Sequence, residues 1–264
     1  MASILLFGST GQLGSDLVEV LADHDLHPYG HLDIDLNDFG QIDRAVDEHQ
    51  PEWVINASAY NDVVLAESKP EPAFAINAEA VWAMARAARR CGASLVHFST
   101  DYVFAGDRGR PCVESDPVEP LNVYATSKLA GEYLAMNSFR WYIFRVSALF
   151  GTAGCRTKGG TNFVDQVLNQ ASLGKPVRMV RDKVCSPTFS LDVARYLSAN
   201  LFSLEPGLYH LSNQGSCTWV EFAGEILKQA GLEASVEPFE DTGTIRRPFN
   251  SALASETIPP LRPW

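Results

Sequence analysis

The chain has 264 residues, 46% of them hydrophobic and 20% charged, with a formal net charge of −11. This length accommodates one large domain or two small ones, and the composition is that of an ordinary globular protein. The acidic surplus argues against a nucleic-acid partner, whose phosphates require a basic face, and the first apolar run, Ile4 to Phe7, is too short for a signal-peptide core or a membrane span.

The first half alternates short apolar runs with helical patterns. SILLF (Ser3–Phe7) predicts a strand and Gln12–Leu21 a helix; a second strand is expected to end near HLDIDLND (His31–Asp38), whose Asp38 suits the cap of a following helix. WVIN (Trp53–Asn56) predicts the third strand, followed by an Ala-rich helix over Pro72–Cys91 that ends in Arg89, Arg90 and Gly92, residues suited to a helix C-terminus. SLVHFS (Ser94–Ser99), a helix carrying Tyr124 and Lys128, and YIFRV (Tyr142–Val146) complete this half. Strands alternating with helices predict a parallel α/β sheet, and continuous apolar runs predict strands covered on both faces. The second half reads as a Gly/Thr-rich loop (Gly151–Asn162), helices over Phe163–Leu173, Ser190–Leu201 and Thr218–Ala230, and short strands near Val177–Val180 and Leu208–Leu211. The expected organisation is a nucleotide-binding domain over residues 1–150 and a smaller mixed cap over 151–264, with segments crossing between them. Five widely spaced cysteines (Cys91, Cys112, Cys155, Cys185, Cys217) form neither a metal-ligand pattern nor a disulfide framework. They read as reduced thiols of a cytoplasmic protein, with no metal required.

Three stretches carry chemistry. GSTGQLG (Gly8–Gly14) follows the first strand and opens the first helix. There, glycines allow the backbone to approach a pyrophosphate, and free helix N–H groups favour the anion. The acidic HLDIDLND segment has no Arg or Lys beside it, which suits a free ribose better than a 2′-phosphate and leans towards NADH over NADPH. In NVYATSKLAGE (Asn122–Glu132), Tyr124 stands one helical turn before Lys128. Such spacing usually marks a solvated face, but a cation there would also bring a phenol, ordinarily near pKa 10, towards working pH. HFSTDYVF (His97–Phe104) places Ser99 and Thr100 at a strand's C-terminal end, where α/β sheets hold ligands.

Taken together, GSTGQLG, FSTDYVF and YATSK resemble the extended short-chain dehydrogenase/reductases, and within them the dTDP-4-dehydrorhamnose reductase family. The likeness continues through PEWVINASAY, AFAINAEAV, PLNVYATSKLAGE, SPTFSLDVA and RRPFNSAL. It implies a Rossmann-type doubly wound parallel sheet with a smaller mixed C-terminal substrate domain. The implied reaction is reduction of the 4-keto group of a nucleotide-linked deoxysugar with NADPH or NADH. Carried onto this chain, the resemblance makes Tyr124 the proton donor, Lys128 its activator and Thr100 a hydrogen-bond partner of the keto oxygen. Gly8, Gly11, Gln12, Leu13 and Gly14 would wrap the pyrophosphate, Asp35 and Leu36 border the adenine, and Ala57, Ala59 and Tyr60 line the cofactor channel. Asn77 would support the site, and Tyr102, Asn162 and Arg247 would meet the nucleotide-sugar. Lys175, Arg178, Arg181 and Lys183 supply a cationic rim for its phosphates. A homodimer is compatible with this reading.

The sequence departs from the family pattern at Val64 and Leu65, where an Asp-Lys pair is usual, and at Ala148, where a tryptophan packs on the sugar. The chain also ends at LRPW, before a typical member's final helix. These departures leave a second expectation: a non-catalytic NAD(P)-binding subunit resembling the regulatory subunit of methionine adenosyltransferase.

Overall fold

The first strand, β1 (Ser3–Phe7), divides its apolar run between two cores: Ile4 and Leu6 face one, Leu5 and Phe7 the other. Successive strand side chains point to opposite faces, so a strand covered on both sides must be apolar throughout. A computed structural model of the chain describes residues 1–154 and 159–264. Cys155 and the middle of the Gly151–Asn162 loop therefore lie outside the described residues.

After β1 come α1 (Gln12–Val20), β2 (Asp25–Tyr29), α2 (Phe39–His49) and β3 (Trp53–Asn56). Next are α3 (Val63–Ser68), α4 (Pro70–Phe74), α5 (Ala80–Cys91) and β4 (Ser94–Thr100), then α6 (Val123–Ala135) and β5 (Arg140–Val146). The second half contains β6 (Leu149–Phe150), α7 (Phe163–Ser172), β7 (Val177–Val180), β8 (Val184–Cys185), β9 (Thr188–Phe189) and α8 (Ser190–Asn200). It finishes with β10 (Gly207–His210), β11 (Asn213–Gln214), β12 (Cys217–Thr218), α9 (Trp219–Gln229), β13 (Val236–Phe239) and β14 (Leu261–Pro263).

The main sheet has the order β10-β5-β4-β3-β1-β2 and is parallel throughout. Because β2 and β3 flank β1, successive crossovers leave β1 in opposite directions. A crevice opens at that reversal, above the C-terminal ends of β1 and β3, where such sheets bind ligands. Helices α1 and α8 bury Leu13, Leu17, Val193 and Leu197 against one face; α2 and α5 bury Ile42, Val46, Val81 and Met84 against the other. Residues beyond 150 thus supply both a sheet strand, β10, and a covering helix, α8. A separate apolar cluster joins α7, α9 and β7 through Val167, Val177 and Phe222, with Phe163 and Trp219 packed on it.

The helix ends follow local chemistry. Asp38 caps α2 by accepting the Gly40 N–H at 3.0 Å, and Gly92 ends α5 with φ +80°. The helix expected over Pro72–Cys91 is instead α4, a π-turn over Ala75–Glu79, and α5. One extra residue per turn barely disturbs the apolar periodicity, so sequence pattern does not reveal it; such turns are frequent at functional positions.

Candidate active site

The glycines after β1 are required by close approach. Gly8 has φ +82°, and a Cβ there would stand 2.6 Å from the Ser58 backbone nitrogen, in the segment that follows β3. At Gly14 a Cβ would lie 2.0 Å from the Gly8 carbonyl oxygen. Gly11 caps α1 with no side-chain hydrogen bond, leaving the first-turn N–H groups available to an anion. Gln12 buries its Nε2 without a partner among the described residues. Leu13 points into the core, so at the crevice it offers only its backbone.

At the β2 rim, Asp35 is exposed, and its carboxylate accepts the Asn37 backbone N–H at 3.0 Å and side-chain amide at 2.8 Å. These bonds hold its pKa below the usual carboxylate value. Leu36 is half-buried against the α2–α5 side of the sheet. Past β3, the Ala57 N–H donates to the Phe7 carbonyl at 2.9 Å, and Ala59 and Tyr60 are half-buried. Asn77, in the π-turn, accepts the Tyr60 N–H at 2.8 Å and donates to the Tyr60 carbonyl at 3.0 Å. Its amide also donates to the Ser127 hydroxyl at 2.9 Å, which in turn donates to the Tyr124 carbonyl at 2.8 Å. Asn77 therefore links the segment after β3 to the helix carrying Tyr124 and Lys128. The Tyr60 hydroxyl is buried without a partner among the described residues, and burial raises its pKa.

Helix α6 starts at an Asn122 cap whose side chain accepts the Ala125 N–H at 2.9 Å and donates to the Arg246 carbonyl at 2.9 Å. Lys128 is 2% exposed, and its Nζ donates to the Phe98 carbonyl on β4 at 2.6 Å. Burial lowers its pKa to about 8, with Glu132 opposing. One turn earlier, the Tyr124 ring meets Tyr102 edge-on at 6.0 Å between centroids. Tyr102 lies in the 3-10 turn capped by Thr100, so the end of β4 and the first turn of α6 face each other. Of the two hydroxyl candidates, Ser99 donates to Glu132 inside the fold, whereas Thr100 donates to Asp101 at 3.1 Å and accepts the Tyr102 N–H at 3.2 Å. The Thr100 proton is thus engaged by a neighbouring carboxylate, which sequence reading did not consider.

Arg247 comes close enough to Tyr102 for its charge to act on that phenol, and pairs with Asp241 at 3.4 Å. Burial dominates at Tyr102 and pushes its pKa well up. Asn162 is the cap of α7: it accepts the Asp165 N–H at 3.1 Å and donates to the Gly151 carbonyl at 2.8 Å. Of the basic stretch, Lys183 lies over the Phe249 ring, two residues past Arg247, and Arg178 over Phe239; Lys175 and Arg181 are exposed.

Two buried polar groupings near the site escaped sequence reading. Arg145 of β5 makes a two-pronged contact to Glu132 of α6, at 2.9 and 2.7 Å. His97 takes an Asn56 amide at 3.1 Å, which assigns Nδ1 as acceptor because the Asn56 oxygen is used by Ser58, and burial lowers its pKa. Both partners of each pair are separated by more than ten residues, so neither pairing has a local sequence signature. Val64 and Leu65 are exposed on α3, and Ala148 has a left-handed φ of +41°.

Comparison with known proteins gives the family. The model of the RmlD substrate binding domain family matches residues 1–261. The spore coat polysaccharide biosynthesis protein SpsK of Bacillus subtilis (strain 168) is 34% identical, over 98% of this chain and 91% of its own length. The dTDP-4-dehydrorhamnose reductase of Escherichia coli (strain K12) is also 34% identical, over 96% of this chain and 90% of its own. The crystal structure of dTDP-4-dehydrorhamnose reductase from Bacillus anthracis str. Ames in complex with NADP superposes with a TM-score of 0.93 at 31% identity, covering 100% of this chain and 96% of that one. With a match spanning nearly every residue described above, the chain belongs to the RmlD substrate binding domain family.

Proposed function

We infer that this protein is an NAD(P)H-dependent oxidoreductase that reduces the 4-keto group of a nucleotide-linked deoxysugar, as in dTDP-4-dehydrorhamnose reduction. The observation that carries this reading is the placement of Tyr124 one turn before the buried Lys128, against the end of β4.

The residues present fit a dinucleotide. The Gly8–Gly14 turn brings the backbone so close that a Cβ at Gly8 or Gly14 would clash, and Gln12 in the same turn buries an amide nitrogen without a partner among the described residues. Gly8, Gly11, Gln12 and Gly14, with the Leu13 backbone, would hold the pyrophosphate; Asp35 and Leu36 would border the adenine, and Ala57, Ala59 and Tyr60 the channel. When bound, the reduced nicotinamide supplies the hydride. Lys128, still largely charged at neutral pH, lowers the cost of phenolate at Tyr124, which makes the phenol a better proton donor to the developing alkoxide. Thr100 fixes the substrate oxygen, and Asn77 fixes the helix. Tyr102, Asn162 and Arg247 take the nucleotide-sugar, Arg247 offering a cation to its phosphates.

The Asp35 carboxylate favours a free ribose, while the Bacillus anthracis relative holds NADP, so both reduced cofactors belong in the assay. Among the described residues no helix is long and apolar enough to cross a membrane. A cytoplasmic protein that forms a homodimer completes the reading. The test is oxidation of NADPH or NADH by dTDP-4-keto-6-deoxy-L-mannose, followed at the reduced-nicotinamide band. Tyr124→Phe is expected to lower turnover by about 10²–10⁴-fold while cofactor binding persists. Unchanged turnover in that variant would overturn the assignment of the donor.

A further inference from the structure

Beneath Thr100 lies a carboxylate with no cation in contact among the described residues. Asp101 is 4% exposed; its Oδ1 accepts the Thr100 hydroxyl at 3.1 Å and its Oδ2 the Ser147 hydroxyl at 2.8 Å, and the Ser251 hydroxyl also bonds to it. The Ser147 oxygen accepts the Ser186 N–H at 3.2 Å, and Ser186 accepts the Leu253 N–H at 3.2 Å, so the carboxylate is anchored into the C-terminal half. The titratable groups that face it are Tyr102 on its own turn, Cys185 on β8 and Cys112 from the segment before α6. Burial raises the pKa of the Cys112 thiol and of the phenol, and a hydrogen bond with Cys217 together with burial raises that of Cys185, so all three are neutral near pH 7; at the carboxyl, burial outweighs the hydroxyl hydrogen bonds.

A hydroxyl has one proton to give and two lone pairs. At Thr100 one lone pair is taken by the Tyr102 N–H, and the proton is directed at Asp101. A hydrogen bond to a charged acceptor contributes roughly 1.5–3 kcal/mol, against about 1 kcal/mol for a neutral one. While Asp101 is ionised, its carboxylate outcompetes a ketone for the Thr100 proton, and Thr100 presents only a lone pair to the pocket. A ketone needs a donor. A neutral Asp101 reverses the arrangement: its own proton goes to the Thr100 oxygen, and the Thr100 proton is released towards the crevice.

We propose that Asp101 is a positioning residue for the reduction, turning the Thr100 hydroxyl towards the keto oxygen when it is protonated and withdrawing it when it is ionised. Asp101 keeps its proton throughout; the proton that ends on the product still comes from Tyr124. The inference rests on the reductase reading given above. Burial, opposed by the hydroxyl hydrogen bonds, lifts the Asp101 pKa to about 6, and a sugar seated over Thr100 removes more water, so the value in the substrate complex lies higher.

The test is the pH dependence of kcat and KM in the reductive direction for the unmodified protein, Asp101→Asn and Ser147→Ala. In the unmodified protein kcat falls to a lower plateau as pH rises through the Asp101 pKa, by about 10²-fold, the size expected for one lost donor to a developing oxyanion. A side-chain amide retains its N–H whatever the pH, so Asp101→Asn loses this decline. Ser147→Ala removes a donor that favours the ionised form, so its decline moves to higher pH. A merely structural role would change kcat by the same factor at every pH. Superimposable profiles for the unmodified protein and Asp101→Asn overturn the proposal, as does an unshifted decline in Ser147→Ala, which also serves should Asp101→Asn fail to fold. Absence of turnover by the unmodified protein at any pH defeats the reductase reading and this inference together; turnover with unaltered profiles defeats the inference alone.

Discussion

Lys128 shows how one residue serves function against stability. Its ammonium is buried beside a single backbone carbonyl, and burial lowers its pKa from 10.5 to about 8. The unfolded chain therefore binds more protons than the folded one between about pH 8 and 10.5, and stability rises with pH across that window; below about pH 8 the penalty is fully present. In the proposed mechanism activity runs the other way, because the charge that would favour the Tyr124 phenolate disappears as pH passes about 8. We expect kcat to decline on that limb while the urea midpoint rises; parallel movement of the two would contradict this account. Lys128→Met is expected to lose turnover and to melt no lower than the unmodified protein. The Tyr-Lys spacing was visible in sequence, but burial was not, since any helix surface can place two such side chains four residues apart.

The element that most needs explanation is the contact between α6 and the π-turn. Gly131 sits inside α6, where an exposed glycine would cost about 1 kcal/mol relative to alanine. A Cβ at Gly131 would stand 2.1 Å from the Asn77 carbonyl oxygen, so the helix can approach the turn only without one. Gly131→Ala is therefore expected to reverse the usual sign and destabilise by about 1–3 kcal/mol, read by chemical denaturation. Turnover should fall as well, because the same contact lets Asn77 reach Ser127 and the Tyr124 turn. Asn77 was singled out as a candidate site residue through family resemblance alone. The π-turn that places it was not, since its effect on apolar periodicity is one residue in twenty-two.

Across the whole molecule, the Glu132–Arg145 pair fastens α6, the helix of Tyr124 and Lys128, to β5. Their side chains are 1% and 4% exposed, and Arg145 also reaches His210 of β10 at 3.4 Å. Removing one partner leaves a buried charge uncompensated, at a cost of roughly 3–5 kcal/mol, whereas replacing both by apolar groups of similar volume is often close to neutral. Glu132→Leu should therefore be strongly destabilised and the double variant Glu132→Leu/Arg145→Met largely restored, as measured by urea unfolding. A double variant no more stable than the single would show that the pair does not behave as a unit. The pair connects α6 and β5 with β10, which lies far from them in the chain and which the sheet places beside β5.

By itself, the sequence determined the alternation of strands and helices, the glycine turn, the Tyr124–Lys128 spacing and the family resemblance, because each is written in residues close together in the chain. Only the tertiary structure decided that Lys128 is buried, that Thr100 points its proton at Asp101, that Asn162 is engaged as a helix cap, and that the Tyr102 and Tyr124 rings meet. Those facts depend on desolvation and on partners brought together by folding, and both are properties of where segments meet rather than of the order in which they are joined.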